Sequence, residues 1–176
     1  MIAVSQERVL DLRSIFGITA RVTAPADATD GAYVEMDCTA EPGSTSVLHY
    51  HAHQQETYRV TAGALDVFQD GEWRRLQAGD ELLIPAGAVH AFRNSSGASA
   101  RFINRHEPAL GFQAHLETLD RLVRTGKIRG TSDPRSLIYM SMSAVRHKPD
   151  VTVRPPQRLV NLLAFIGRRL RFQLDA

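Results

Sequence analysis

Cysteine is nearly absent from this chain. Cys38 is the only one, so no disulfide can form within it, and a reducing cytoplasm is the expected setting. Long apolar runs are missing as well. No stretch of about 18 apolar residues occurs, which excludes a membrane-spanning helix. The opening MIAVSQERVLDLRS has no basic segment leading into an apolar one, so no secretory signal is expected. There is no internal repeat, no low-complexity tract and no clear linker; residues 146–156 read as the loosest segment. Basic residues are scarce in the first two thirds. Residues 1–120 carry nine Lys/Arg against sixteen Asp/Glu, whereas residues 121–176 carry twelve against three. A net charge of +2 therefore hides an acidic front and a basic tail.

What is present describes an ordinary globular protein. Its 176 residues suffice for one domain with a proper core and are too few for two of full size. Apolar residues make up 43% and charged residues 23%, which excludes a disordered chain. Short β-like stretches come first, at 18–24 and 32–39, with a turn between them. Further strands are expected at 56–60, 64–68, 81–84, 89–92 and 101–104. Asp70-Gly71 is a strong hairpin signal. Strands this short and evenly spaced imply an antiparallel barrel or sandwich.

After residue 108 the pattern changes to helix. Phe112, His115, Leu116, Leu119, Leu122 and Val123 share a face, with Gly126 as a cap. Asp133-Pro134 reads as an N-cap followed by proline in the first turn of a helix over 136–145. Pro155-Pro156 opens a last helix, with Leu159, Leu162, Leu163, Ile166 and Leu170 on one face and Arg158, Arg168, Arg169 and Arg171 beside them. This basic amphipathic tail is expected to pack on the barrel's outer sheet or across a dimer, with contact to an anionic membrane surface as the weaker reading. The arginines have no nucleic-acid motif and no interleaved aromatics, so nucleic acid is not an expected partner.

The chemistry lies in two windows. The first is Gly43-STSVL-His49-Tyr-His51-AHQQ-Glu56-TYRVTA-Gly63; the second is Gly79-DELLI-Pro85-Ala-Gly87-AV-His90-AFR-Asn94. Side chains two apart on a strand share a face, so His49 and His51 point the same way. A short turn then brings Glu56 alongside, and His90 joins from another strand. Three imidazoles and one carboxylate suit Fe, Mn, Zn, Ni or Co as a single divalent ion. By the same parity Tyr58 and Val60 follow Glu56 inward, and Phe92 and Asn94 follow His90. Tyr58, Phe92 and Asn94 are thus candidates for a substrate pocket, and Glu56 and Tyr58 for catalysis. Phe68, Arg101 and Ile103 are weaker candidates. His53 is expected in a turn at the barrel mouth. His106, His115 and His147 are expected to be structural or exposed, and Cys38 a small apolar filler.

Taken together, these windows resemble the two motifs of the cupin superfamily. Gly43, His49, His51, Glu56 and Gly63 meet the first, and Gly79, Pro85, Gly87, His90 and Asn94 the second, with residues 64–78 between them. The resemblance covers about residues 32–108. It implies a double-stranded β-helix, or jelly-roll, barrel: an all-β core with metal ligands His49, His51, Glu56 and His90, Asn94 not being a ligand. Residues 1–108 are then the barrel and 109–176 a C-terminal helical extension, about which the resemblance says nothing. It also implies a small-molecule substrate or ligand. A metal-dependent dioxygenase is the expected activity. The alternatives are a metal-dependent isomerase, epimerase or lyase, and a non-catalytic ligand-binding module. A homodimer is expected, with residues 1–24 available as an exchanged edge strand.

Overall fold

The computed structural model describes residues 9–153 and 157–175. Strands β1 (Val9–Leu12), β2 (Ile18–Ala24), β3 (Val34–Ala40), β4 (His49–His51), β5 (Gln55–Ala62) and β6 (Ala64–Gln69) come first. A one-turn helix, α1 (Arg13–Phe16), separates β1 from β2. Then follow β7 (Glu72–Gln77), β8 (Glu81–Ile84), β9 (His90–Arg93) and β10 (Ala100–Glu107). Helices α2 (Phe112–Arg124) and α3 (Pro134–His147), strand β11 (Val151–Val153) and helix α4 (Gln157–Arg169) complete the chain.

All pairings are antiparallel, in one sheet of order β1-β2-β3-β10-β5-β8 and a second of order β11-β4-β9-β6-β7. This is the antiparallel sandwich that the spacing of the strands predicts, in the jelly-roll form that the resemblance implies. Strand β3 buries every second residue, Val34, Met36, Cys38 and Ala40. Strand β10 lays its own buried row against it, so Phe102 pairs with Cys38, Asn104 with Met36 and His106 with Val34. On its other side β10 matches Phe102, Asn104 and His106 to Val60, Tyr58 and Glu56. Polar residues thus cluster at one end of the barrel and apolar ones at the other.

The two sheets meet through an aromatic cluster. Tyr58 and Phe102 of the first sheet face Phe92 of the second, with ring centroids 5.7 to 6.3 Å apart. Each such burial is worth about 1.5–3 kcal/mol, which resists separation of the layers. The β6–β7 hairpin turns on Asp70 and Gly71, both at positive φ (54° and 89°), as the two-residue turn requires.

The extension is joined to the barrel by a shared core. Leu116, Leu119 and Leu122 of α2 are buried in one cluster with Leu10 and Leu12 of β1. Helix α3 starts where its cap predicts, with Asp133 accepting from the Arg135 amide at 3.1 Å and Pro134 in the first turn.

Two expectations are corrected. Of the two partners expected for helix α4, the barrel's outer sheet and a dimer, the first is replaced within the chain by α3: the helix buries Ala164 and Gly167, half-buries Leu163 and Ile166, and leaves Leu159, Leu162 and Leu170 39%, 52% and 62% exposed. Small residues win this face because they let the helix axes approach: a Cβ on Gly167 would stand 2.7 Å from Ile138 Cγ2. The double proline before this helix lies outside the described residues. The segment read as loosest contains β11, which pairs Val151 with His51 and Val153 with His49. Its Val-Thr-Val sequence suits a strand, and it covers the otherwise open edge of β4. Strand β1 pairs with β2, and β2 with β3, within the one chain. Residues 1–8 lie outside the described residues.

Candidate metal centre

His49 and His51 sit on one face of β4, and β9 places His90 directly opposite His49 in register. Strand β5 carries Glu56 beneath them. One ligand atom from each of the four lies within 4.8 Å of all the others. Ring centroids are 4.2 Å apart for His49 and His90, 5.2 Å for His49 and His51, and 5.3 Å for His51 and His90. The four side chains picked from the motifs therefore converge, in a cluster compatible with one divalent metal ion.

Backbone carbonyls orient two of the imidazoles. His49 Nδ1 donates to the Val47 carbonyl at 2.8 Å, and His90 Nδ1 to that of Ala88 at 2.9 Å. Each ring thereby turns Nε2 inward, the tautomer that a metal requires. His51 differs. It is fully buried, yet neither ring nitrogen has a hydrogen-bond partner, and the nearest carboxylate oxygen, Glu56 Oε2, stands 3.4 Å away. A buried imidazole without a partner costs about 1–3 kcal/mol, unless a cation takes the lone pair. The donor set fits a borderline divalent metal on this observation.

Glu56 is held on both sides. Oε2 is 2.6 Å from His90 Nε2, while Oε1 accepts from Asn104 Nδ2 at 2.7 Å. Burial alone would raise its pKa, but the imidazoles of His106, His51 and His90 outweigh it and keep the carboxylate ionised. Desolvation holds His49 at about 4. His90 is pulled the other way: burial lowers its pKa, and the bond and charge of Glu56 overcome that and raise it. The Tyr58 phenol stays protonated, because burial first and the charge of Glu56 second push its pKa well up.

Behind the ligands runs a polar chain. Asn104 Oδ1 meets His106 Nε2 at 2.8 Å; His106 Nδ1 meets Gln54 Oε1 at 3.0 Å; Gln54 Nε2 donates to the Pro108 carbonyl at 2.6 Å. His106 also stacks on Phe112 of α2 at 3.7 Å. Sequence reasoning missed this layer. It ended the strand at Asn104; two more residues of the same alternation place His106 on the inner face, beside Glu56. Burial pushes the His106 pKa down to about 3, although both ring nitrogens face amide oxygens that would favour the protonated ring.

The cluster opens into a cavity of about 690 Å³ bordered by Tyr58, Phe92, Phe102, Cys38 and Phe112, together with residues of α2, α3 and α4. Tyr58 and Phe92 thus line a pocket as parity predicts. Asn94 does not. Its buried amide donates to the carbonyls of Ala40 and Ala98 at 2.9 and 2.8 Å and accepts from the Ser96 amide at 3.0 Å. Strand β9 ends at Arg93, and Asn94 braces the turn that follows, so its pocket assignment is corrected. Arg101 points outward to Asp37, with Nε 2.8 Å from Oδ1, and Phe68 packs on Trp73. His53 sits exposed at the mouth, where its amide and ring meet Asp150 at 2.6 and 3.0 Å. Cys38 is a buried thiol whose pKa burial drives upward, so it is no nucleophile.

Comparison with known proteins agrees with this architecture. Residues 36–105 match the family model described as Cupin domain. Over 76 residues the chain is 33% identical to quercetin 2,3-dioxygenase of Bacillus subtilis, covering 43% of this chain and 23% of that protein. Protein SchB of Streptomyces halstedii is 40% identical over 62 residues, which is 35% of this chain and 45% of that one. The chain spans less than half the length of the curated relatives it matches. Among solved structures, the polyketide cyclase RemF of Streptomyces resistomycificus superposes with a TM-score of 0.52 at 18% identity, over 61% of this chain and 79% of that one. At that identity the likeness is one of fold.

Proposed function

We propose, from the match of residues 36–105 to the Cupin domain model, that His49, His51, Glu56 and His90 hold one divalent metal ion and that the chain is a metal-dependent dioxygenase acting on a small organic substrate. The observation that carries this reading is the buried His51, with both nitrogens unpartnered, inside a four-donor cluster that opens onto a cavity. The stretch shared with quercetin 2,3-dioxygenase supports oxygen chemistry over the other activities of comparable sites.

When bound, an iron- or manganese-type ion supplies open positions for substrate oxygen and dioxygen, and redox capacity between them. The chain's own residues supply the rest. The Val47 and Ala88 carbonyls fix the inward nitrogens of His49 and His90. Asn104 holds Glu56 Oε1, so Oε2 is the oxygen left to face the centre or to take a proton from a substrate hydroxyl. Tyr58 keeps its proton and offers a hydrogen bond to a polar group on the substrate. Phe92 and Phe102 exclude water from the reacting end.

A second reading is favoured by Glu56 and Tyr58 themselves. An ionised carboxylate beside a protonated phenol is the pair that a Lewis-acid isomerase, epimerase or lyase would use to move a proton. Elemental analysis of protein purified without added metal, followed by turnover with and without oxygen, separates the two. Bound iron or manganese with oxygen-dependent turnover supports the dioxygenase. Turnover in the absence of oxygen sinks it. A co-purified ligand that is never converted points to a binding module. The homodimer belongs to the same proposal, with light scattering on a sizing column as its check.

A further inference from the structure

The cavity has a second polar feature that metal binding does not use. His115 lies on α2, three residues after Phe112, the ring that stacks on His106 beside the metal ligands. It is therefore about 4.5 Å further along the helix axis. Its Nδ1 is 2.9 Å from Ser143 Oγ of α3. Its Nε2 has no partner among the described residues, although His115 borders the cavity. The ring is deep in the protein yet keeps accessible surface, as a side chain lining a cavity does. Burial holds its pKa at about 4, so it is neutral at pH 7.

The surrounding wall is apolar and comes from the helical extension. Leu116 of α2, Ala144 and Val145 of α3, and Val160 and Leu163 of α4 border the same space. Among the described residues no arginine borders it. Of its acidic and basic side chains, Lys148 is exposed, Asp150 is engaged with His53, and Glu56 belongs to the metal cluster. Among these described side chains a phosphate or a carboxylate group would therefore find no bidentate clamp. A neutral imidazole has one donor and one acceptor, and the Ser143 hydroxyl can rotate to suit either tautomer. Nε2 can thus donate to a carbonyl or accept from a hydroxyl. The cavity volume of about 690 Å³ lies within the range of pockets that hold drug-sized ligands.

We infer that the substrate is an uncharged, largely apolar organic molecule with a second hydrogen-bonding oxygen besides the group presented to the metal, and that His115 selects that oxygen within a wall supplied by α2, α3 and α4. This rests on the metal-site reading above, and it makes the extension a determinant of specificity.

The test uses the zinc-loaded full chain and prodan, a neutral naphthyl ketone whose fluorescence reports an apolar, hydrogen-bonding site. Wild-type protein binds the dye with blue-shifted emission. His115→Leu raises its Kd at least fivefold, and His115→Gln brings it back to within about twofold. Ala144→Trp, which fills the extension's side of the cavity, raises it at least tenfold. All three variants still take up one zinc per chain with unchanged affinity. Equal dye affinity in wild type, His115→Leu and Ala144→Trp, with zinc binding intact, overturns the inference and leaves the metal site standing. Failure of the wild-type chain to bind zinc overturns the metal reading and this inference with it.

Discussion

Asn104 donates to one oxygen of Glu56 at 2.7 Å, and His90 meets the other at 2.6 Å. The carboxylate is therefore already oriented by the protein before any ion arrives. Groups that orient ligands in this way typically contribute about 10- to 100-fold in metal affinity. Asn104→Ala is expected to weaken binding by that factor while leaving one site per chain. Competition against a chromophoric chelator measures it, and an affinity equal to wild type would remove Asn104 from the site.

His51 should be a liability in the absence of metal. Replacing it with Leu removes two unpartnered buried nitrogens from a fully enclosed position. The metal-free His51→Leu variant is expected to be more stable than the metal-free parent by about 1 kcal/mol or more. It should also lose the stabilisation that metal confers on wild type, about 2.7 kcal/mol at a free-metal concentration 100 times Kd. Thermal melts with and without zinc test both halves.

Acid should loosen the helical extension. The folded-state pKa of His115 is about 4 against an ordinary 6.5, so the unfolded chain takes up its proton first as pH falls. The stability due to neutral His115 is complete above about pH 6.5 and declines as pH drops toward 4, by about 2 kcal/mol near pH 4.5. His49 and His106 are depressed in the same direction, so wild type loses stability from several sources. His115→Leu should lose about 2 kcal/mol less than wild type between about pH 7.5 and 4.5. Denaturant titrations at the two pH values give the difference.

Helix α2 begins where no side chain fits. A Cβ on Gly111 would overlap the carbonyl oxygen of His147, a backbone atom at the end of α3. Gly111→Ala is expected to destabilise the protein by about 2 kcal/mol or more, since backbone must shift to relieve the overlap. Gly97→Ala is the control: it meets nothing within 4 Å and has no positive φ. It should stay within about 0.5 kcal/mol of wild type. Equal melting temperatures for the two variants would contradict the packing of α2 against α3.

Much of the barrel was legible in the chain because strand periodicity is a local property. Alternation put Met36 and Cys38 on the same buried face, Asp70-Gly71 marked its hairpin, and Asp133-Pro134 marked the start of α3. The candidate metal ligands were legible for the same reason: His49 and His51 must share a face at that spacing, and the motif spacing supplied Glu56 and His90. Apolar periodicity was less reliable for α4. It located a stripe along Leu159, Leu162, Leu163, Ile166 and Leu170, of which Leu163 and Ile166 are half-buried, but the helix fully buries Ala164 and Gly167, because close approach to Ile138 and Met142 of α3 outweighs the burial of larger side chains turned elsewhere.

Sequence alone thus determined which residues form the candidate metal cluster, since strand parity and motif spacing depend only on neighbours along the chain. Tertiary structure decided what surrounds them. Pairing of Val151 with His51, the placing of His106 behind Glu56, and the closing of the cavity by α3 and α4 each join residues dozens of positions apart. Such contacts form because open strand edges, buried donors and apolar helix faces must find partners. Which partner each one finds is settled only when the whole chain packs.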